Sequence, residues 1–161
     1  MNISNIKNVI SIRKFKLYLT ISFILPVVLV YLTDIFENYI YKISKHYYAV
    51  FFIIIYLLIL LYWELKRPYF IQYIDDGDKI TFRYYSLLII GRKYKAIEIP
   101  KKLFRTFKIK MFFLNRFESI ILSRKTSTGV IDYPPISLSA VSENDTIKIK
   151  DSLSKIENQN K

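Results

Sequence analysis

Cysteine is absent from the 161 residues, histidine occurs once and glycine three times. Without cysteine there is no disulfide, no thiolate metal site and no cysteine nucleophile, and the redox compartment stays open. Three glycines build no glycine-rich phosphate cradle. Acid is scarce: 13 Asp and Glu stand against 25 Lys and Arg, a formal net charge of +12. A small basic nucleic-acid binder normally spreads its apolar residues in amphipathic periodicity. This chain is 52% hydrophobic and 17% aromatic, and that content is concentrated in two uninterrupted blocks. Composition points to a membrane.

The blocks are LYLTISFILPVVLVYLT, Leu17 to Thr33, and YYAVFFIIIYLLILLYW, Tyr47 to Trp63, and neither carries a charge. At a rise of about 1.5 Å per residue, seventeen residues cover roughly 25 Å, a little under a hydrocarbon core of about 30 Å. Tyr39, Tyr41, Tyr47, Tyr48, Tyr62 and Trp63 gather near the block ends, where amphipathic rings favour the headgroup boundary. Pro26 falls mid-span and removes a backbone donor. The competing reading, a buried core helix, fits poorly, because such a run leaves no polar face for solvent. A signal peptide is the other alternative for the first block. No small-x-small cleavage site follows Thr33, so the expectation is an uncleaved helical hairpin spanning 17–63, with Asp34 to His46 as connector.

Flanking charge orients it. Residues 1–16 hold Lys7, Arg13, Lys14 and Lys16 with no acid, the connector is neutral, and residues 64–161 carry nineteen basic residues against eleven acidic. The positive-inside rule then places both termini in the cytoplasm, in a multi-pass inner-membrane protein. Ile3, Ile6, Val9, Ile10 and Phe15 recur at helical spacing beside the N-terminal cations. Two readings stay open for this segment: a short interfacial helix, or a frayed basic terminus.

Beyond Pro68 the pattern changes to short alternating runs broken by turns. YFIQYI (69–74), DDGD (75–78) and KITFRYY (79–85) read as a hairpin. LLII (87–90), the segment up to Ile99, FRTFKIKMFF (104–113), FESIILS (117–123) and GVIDY (129–133) suggest further strands, with RKTSTG (124–129) as a turn. Ser142 then precedes an acidic residue at Asp145, an N-cap pattern, and Ile149, Leu153 and Ile156 form an apolar stripe. The fold class expected is a membrane α-helical hairpin plus an α+β tail over 69–158.

IEIP at 97–100 and PPISLSAVSENDTIKIKDSLSKI at 134–156, where a last strand runs into a closing helix, resemble the pleckstrin-homology-like domains that many bacterial membrane proteins carry after a pair of transmembrane helices. The abundance of Ile, Lys, Asn and Tyr suits an AT-rich bacterial genome. The resemblance implies an antiparallel β-barrel or sandwich closed by a C-terminal amphipathic helix, and a docking role. Phosphoinositide-binding members in eukaryotes place basic residues on the first strand pair and its turn. Here that turn is Asp75, Asp76, Gly77, Asp78, so headgroup capture is not expected there.

The stretch GRKYKAIEIPKKLFRTFKIK, 91–110, holds eight cations and one Glu. Arg92, Lys93, Lys95, Lys101, Lys102, Arg105, Lys108 and Lys110 are the candidate residues for binding anionic lipid headgroups or an acidic protein partner. On a strand, Lys108 and Lys110 share one face while Phe107, Ile109 and Met111 share the other, which is expected to enter the core. The bland alternative is a solvated face and edge protection. Nucleic acid is disfavoured, because the alternating phenylalanines are better used in a core than as a stacking platform.

Nothing supports catalysis, and no cofactor or metal is implied. His46, the single histidine, lies in the connector among aromatic anchors, and Ser119 and Ser123 have no histidine in the tail. The Asp75–Asp78 run lacks the ligand alternation and distal Glu of an EF-hand, and Asp-Gly is a turn signal. Glu64 is expected to pair with Lys66 or Arg67. The expected function is a membrane-anchored, non-enzymatic scaffold or accessory module. The alternative is a small oligomeric membrane effector that perturbs permeability, with the tail as regulator.

Overall fold

The computed structural model describes residues 1–33, 44–88 and 93–160. Most of the expected connector, together with Ile89, Ile90 and Arg92, lies outside the described residues. The chain divides into two compact units. One is Ile10–Leu65, and the other joins Met1–Val9 to Lys66–Lys161.

The first unit is built from helices α1 (Ile6–Leu32) and α2 (Lys45–Leu65), of 27 and 21 residues. At about 1.5 Å per residue they are roughly 40 and 31 Å long, so both are long enough and apolar enough to cross a membrane. They extend past the uncharged blocks because Ile12–Lys16 and Lys45–His46 are compatible with helix, and His46 therefore stands in the first turn of α2. Thr20 Oγ1 and the Tyr56 hydroxyl lie 3.0 Å apart, a hydrogen bond between the helices. Few residues of either helix are buried. Leu25 and Leu58 are each 60% exposed, within a continuous set of exposed Leu, Ile and Phe, which is not the pattern of a core helix. Glu64 pairs with Lys16 of α1 at 3.9 Å.

The second unit contains two antiparallel sheets. The first has the order β1 (Asn2–Ser4), β2 (Tyr69–Asp76), β3 (Lys79–Ser86), β4 (Lys95–Pro100). A 3-10 turn at Lys101–Leu103 leads to the second, β5 (Phe104–Phe112), β6 (Phe117–Thr126) and β7 (Gly129–Asp132), with β8 (Ile136–Ser137) also pairing with β6. Helix α3 (Glu143–Gln159) closes the unit. Period-two burial drives the first sheet: Ile71 and Tyr73 of β2, Ile80, Phe82 and Tyr84 of β3, and Ile97 and Ile99 of β4 all point into one core. Gly77, at φ 63, makes the tight β2–β3 turn. Ser142 caps α3, its Oγ accepting from the Asp145 N–H at 3.2 Å. The stripe of Ile149, Leu153 and Ile156 is buried with Ile120 and Leu122. Each of those side chains stabilises the unit by about 1.5–3 kcal/mol.

Four sequence expectations change. Residues 2–4 form neither an interfacial helix nor a frayed end. Asn2, Ile3 and Ser4 pair with Ile74, Tyr73 and Gln72, so the helical hairpin is inserted between the first and second strands of the β unit. Leu87 and Leu88 are not in a strand. The RKTSTG turn contracts to Ser127–Thr128, because Arg124, Lys125 and Thr126 pair with β7. Finally, the apolar face of β5 enters the core only as far as Phe107. Ile109 and Met111 are 42% and 40% exposed. β5 is the edge of its sheet, and α3 lies against β5 near the start of the strand, where Thr106 donates to Glu157 at 3.1 Å, while Ile109 and Met111 lie further along it.

Candidate functional site

The β2–β3 hairpin and the β4–β5 connection put the candidate cations at two ends of the β unit. Lys101 and Lys102 stand in the 3-10 turn beside the end of β4, where Pro100 pairs with Lys79, and Arg105 is exposed at the start of β5. Lys101 is committed there. It ion-pairs with Asp75, whose carboxyl also accepts from Ser152 Oγ, and Ser152 contacts the Tyr73 hydroxyl at 2.8 Å. Burial alone would raise the Asp75 pKa, but the bonds from Lys101 and Ser152 outweigh it and hold the carboxyl below its usual range. Burial pushes the Tyr73 hydroxyl up to about 12, opposed by its bond to Ser152 and reinforced by the Asp75 charge. Lys101 is therefore part of a folding network, while Lys102 and Arg105 stay exposed beside it.

Lys108, midway along β5, reaches Asp132 of β7 at 3.3 Å. Asp132 accepts from Ser123 Oγ at 2.6 Å, and that bond, followed by the one from Lys108, lowers its pKa.

The other three described candidates, Lys93, Lys95 and Lys110, gather at the opposite end. Lys95 pairs in register with Tyr84 at the start of β4. With Lys93 it lines a cavity of about 250 Å³ whose remaining walls include Tyr69, Tyr84, Tyr85 and Leu88. Tyr69 and Tyr84 stack at 6.0 Å, and Tyr85 lies 4.6 Å from Tyr94. A second cavity of about 220 Å³ shares Tyr69 and is lined by Arg67, Lys110, Phe112, Ser119, Pro135 and Ser137. Among the described residues, no carboxylate lines either cavity. The sequence-predicted set therefore splits. Lys93 and Lys95 line one cavity and Lys110 another that shares Tyr69 with it, Lys101, Lys102 and Arg105 are elsewhere, and Arg92 lies outside the described residues.

Sequence reasoning missed three residues at this end. Arg67, expected only to flank the second span and pair with Glu64, lines the cavity with Lys110 and holds φ 45. Lys66 lies 5.4 Å over the Phe117 ring. Asn5, 4% exposed, donates from Nδ2 to the carbonyls of Tyr69 at 2.8 Å and Ala140 at 3.2 Å. Its position immediately before a helical apolar run was a cap signal available in the sequence. Asn5 precedes α1 and Arg67 follows α2, so this is the end of the β unit at which the chain passes to both helices.

No protein-family model, no curated protein and no solved structure matches the chain.

Proposed function

We propose that the chain is a cytoplasmic-membrane protein in which an α1–α2 hairpin anchors a non-enzymatic, pleckstrin-homology-like module, and that the module docks on the anionic inner leaflet. The observation that carries this is the gathering of Arg67, Lys93, Lys95 and Lys110, without a carboxylate, around the cavities at the end where the chain passes to the helices. Each cation near an anionic surface contributes about 1 kcal/mol before screening, and a covalent anchor makes such weak contacts sufficient.

Two further features support the reading. Pairing of β1 with β2 suits a hairpin whose two ends lie on one side of the bilayer, as the excess of flanking Lys and Arg on those ends also favours. Two sheets of antiparallel strands closed by α3 agree with the pleckstrin-homology-like layout, with the difference that here the hairpin interrupts the module after its first strand instead of preceding it.

The absence of cysteine permits a clean test. Full-length protein carrying T128C should stay with membranes through carbonate extraction and react with a membrane-impermeant maleimide in inverted vesicles, but not in intact spheroplasts. Labelling from outside the spheroplast, or release by carbonate, rejects the topology. Ion leakage from liposomes that contain the full chain would instead favour the permeability effector.

A further inference from the structure

We propose that the cavity lined by Arg67 and Lys110 is a binding site for the phosphodiester group of one anionic glycerophospholipid, a specific site within the leaflet-docking end on whose reading it rests. Three strands build its floor. Lys110 of β5 is paired in register with Ser119 of β6, and Ser119 with Ser137 of β8, so one ammonium and two hydroxyls form a cross-strand row. Arg67 and Tyr69 close it from the start of β2, and Phe112 and Pro135 give it apolar walls.

Charge distinguishes this cavity from the ion-paired lysines of the β unit. Lys79, Lys101, Lys108 and Lys150 each meet a carboxylate. Among the described residues Arg67 and Lys110 meet none, and no acid lines the cavity. Two uncompensated cations sharing one concave site repel each other unless an anion joins them. The guanidinium fork suits two phosphate oxygens, and the ammonium supplies a point charge to a third.

Arg67 is also held in place against its own preference. A non-glycine residue at φ 45 occupies the sparsely populated left-handed region. Its carbonyl accepts from Ser139 Oγ at 3.3 Å, and the Pro68 carbonyl accepts from the Leu87 N–H at 2.9 Å, so the neighbouring backbone is fixed from two sides. About 220 Å³ is several times the ~30 Å³ share of a water molecule, which leaves room for a phosphodiester. Lipid is favoured over free phosphate by the apolar walls and by the position of Arg67, two residues after the end of α2.

Native mass spectrometry of the full chain in detergent tests this, with phosphatidylglycerol, phosphatidylcholine and inorganic phosphate as separate additions. One retained phosphatidylglycerol is expected, with retention weakened roughly tenfold or more by R67Q and by K110Q, and unchanged by K102Q at the other end. K110Q alters an exposed side chain, so it reports even if R67Q folds poorly. Equal retention of phosphatidylcholine, equal weakening by K102Q, or capture of inorganic phosphate but not of lipid overturns the site. Salt-reversible contact of the module with anionic bilayers, with no lipid retained in detergent, overturns the site and leaves the docking reading standing. Loss of that contact as well overturns both.

Discussion

Asn5 grips Ile71 from both sides of the peptide unit: its backbone N–H donates to the Ile71 carbonyl at 3.2 Å, and its Oδ1 accepts from the Ile71 N–H at 2.8 Å. The same side chain donates to Tyr69 and Ala140, and Asn8 Nδ2 reaches the Ala140 carbonyl at 3.1 Å. A residue ahead of the hairpin thus satisfies the backbone of the strand that follows it.

Replacing Asn5 by Ala leaves the Ile71 N–H and one bond to each of two carbonyls without that partner in a buried setting, and is expected to destabilise the β unit by about 2–4 kcal/mol. Asn5→Asp keeps the acceptor for Ile71 but sets a buried carboxylate against the Tyr69 and Ala140 carbonyl oxygens, so it should be at least as destabilising as Ala. Thermal unfolding in detergent, followed by circular dichroism, gives the ranking. An Ala variant as stable as the parent would mean that the grip contributes nothing.

Residues 66–161 alone lack β1, so the Ile71 and Asp75 amides, which bond to Asn5 and Met1, should lose hydrogen-exchange protection. Adding a peptide of residues 1–9 should restore it. Protection already complete without the peptide would contradict the strand pairing.

Two neighbouring lysines should behave oppositely. Lys101→Ala leaves the largely buried Asp75 carboxylate without its ion pair and should lower stability by about 1–2 kcal/mol. Lys102→Ala, exposed and outside that network, should stay within about 0.5 kcal/mol. Urea unfolding of both variants decides it.

The same network sets two pH limits. Asp75 has a lowered folded pKa, so the stability it contributes is present above its unfolded value of about 4 and is lost as pH falls through the folded one. Tyr73 has a raised pKa, about 12, so its contribution is intact below the unfolded value of about 10 and is lost between there and about 12. Tyr73→Phe should flatten the alkaline limb and leave the acid limb in place. A parent whose stability is level from pH 10 to 12 would disprove the alkaline part.

Much of this architecture is legible in sequence because periodicity carries it. The uncharged runs became α1 and α2, alternation at Ile71, Tyr73, Ile80 and Phe82 became core strands, and Ile149, Leu153 and Ile156 became the buried stripe of α3. What periodicity cannot show is pairing between distant segments. Three residues, Asn2 to Ser4, are too short to announce a strand, and their partner lies some seventy residues away. For the same reason a run of eight cations reads as one patch, whereas β4 crosses the sheet between Lys95 and Lys101 and carries them to opposite ends. That Arg67 shares a cavity with Lys110 is not legible for the same reason, because Lys110 arrives from a distant strand.

On the proposed reading, the end bearing Arg67, Lys93, Lys95 and Lys110 faces anionic lipid. A fluorophore on Y94C, a position 80% exposed beside Lys93 and Lys95, can be compared with the same fluorophore on T128C at the β6–β7 turn, using full-length protein in nanodiscs whose headgroups carry a nitroxide quencher. Strong quenching at position 94 with phosphatidylglycerol present, falling as salt rises, and little at position 128 is the predicted result. Equal quenching at the two positions, or none at position 94 at any salt, would contradict it.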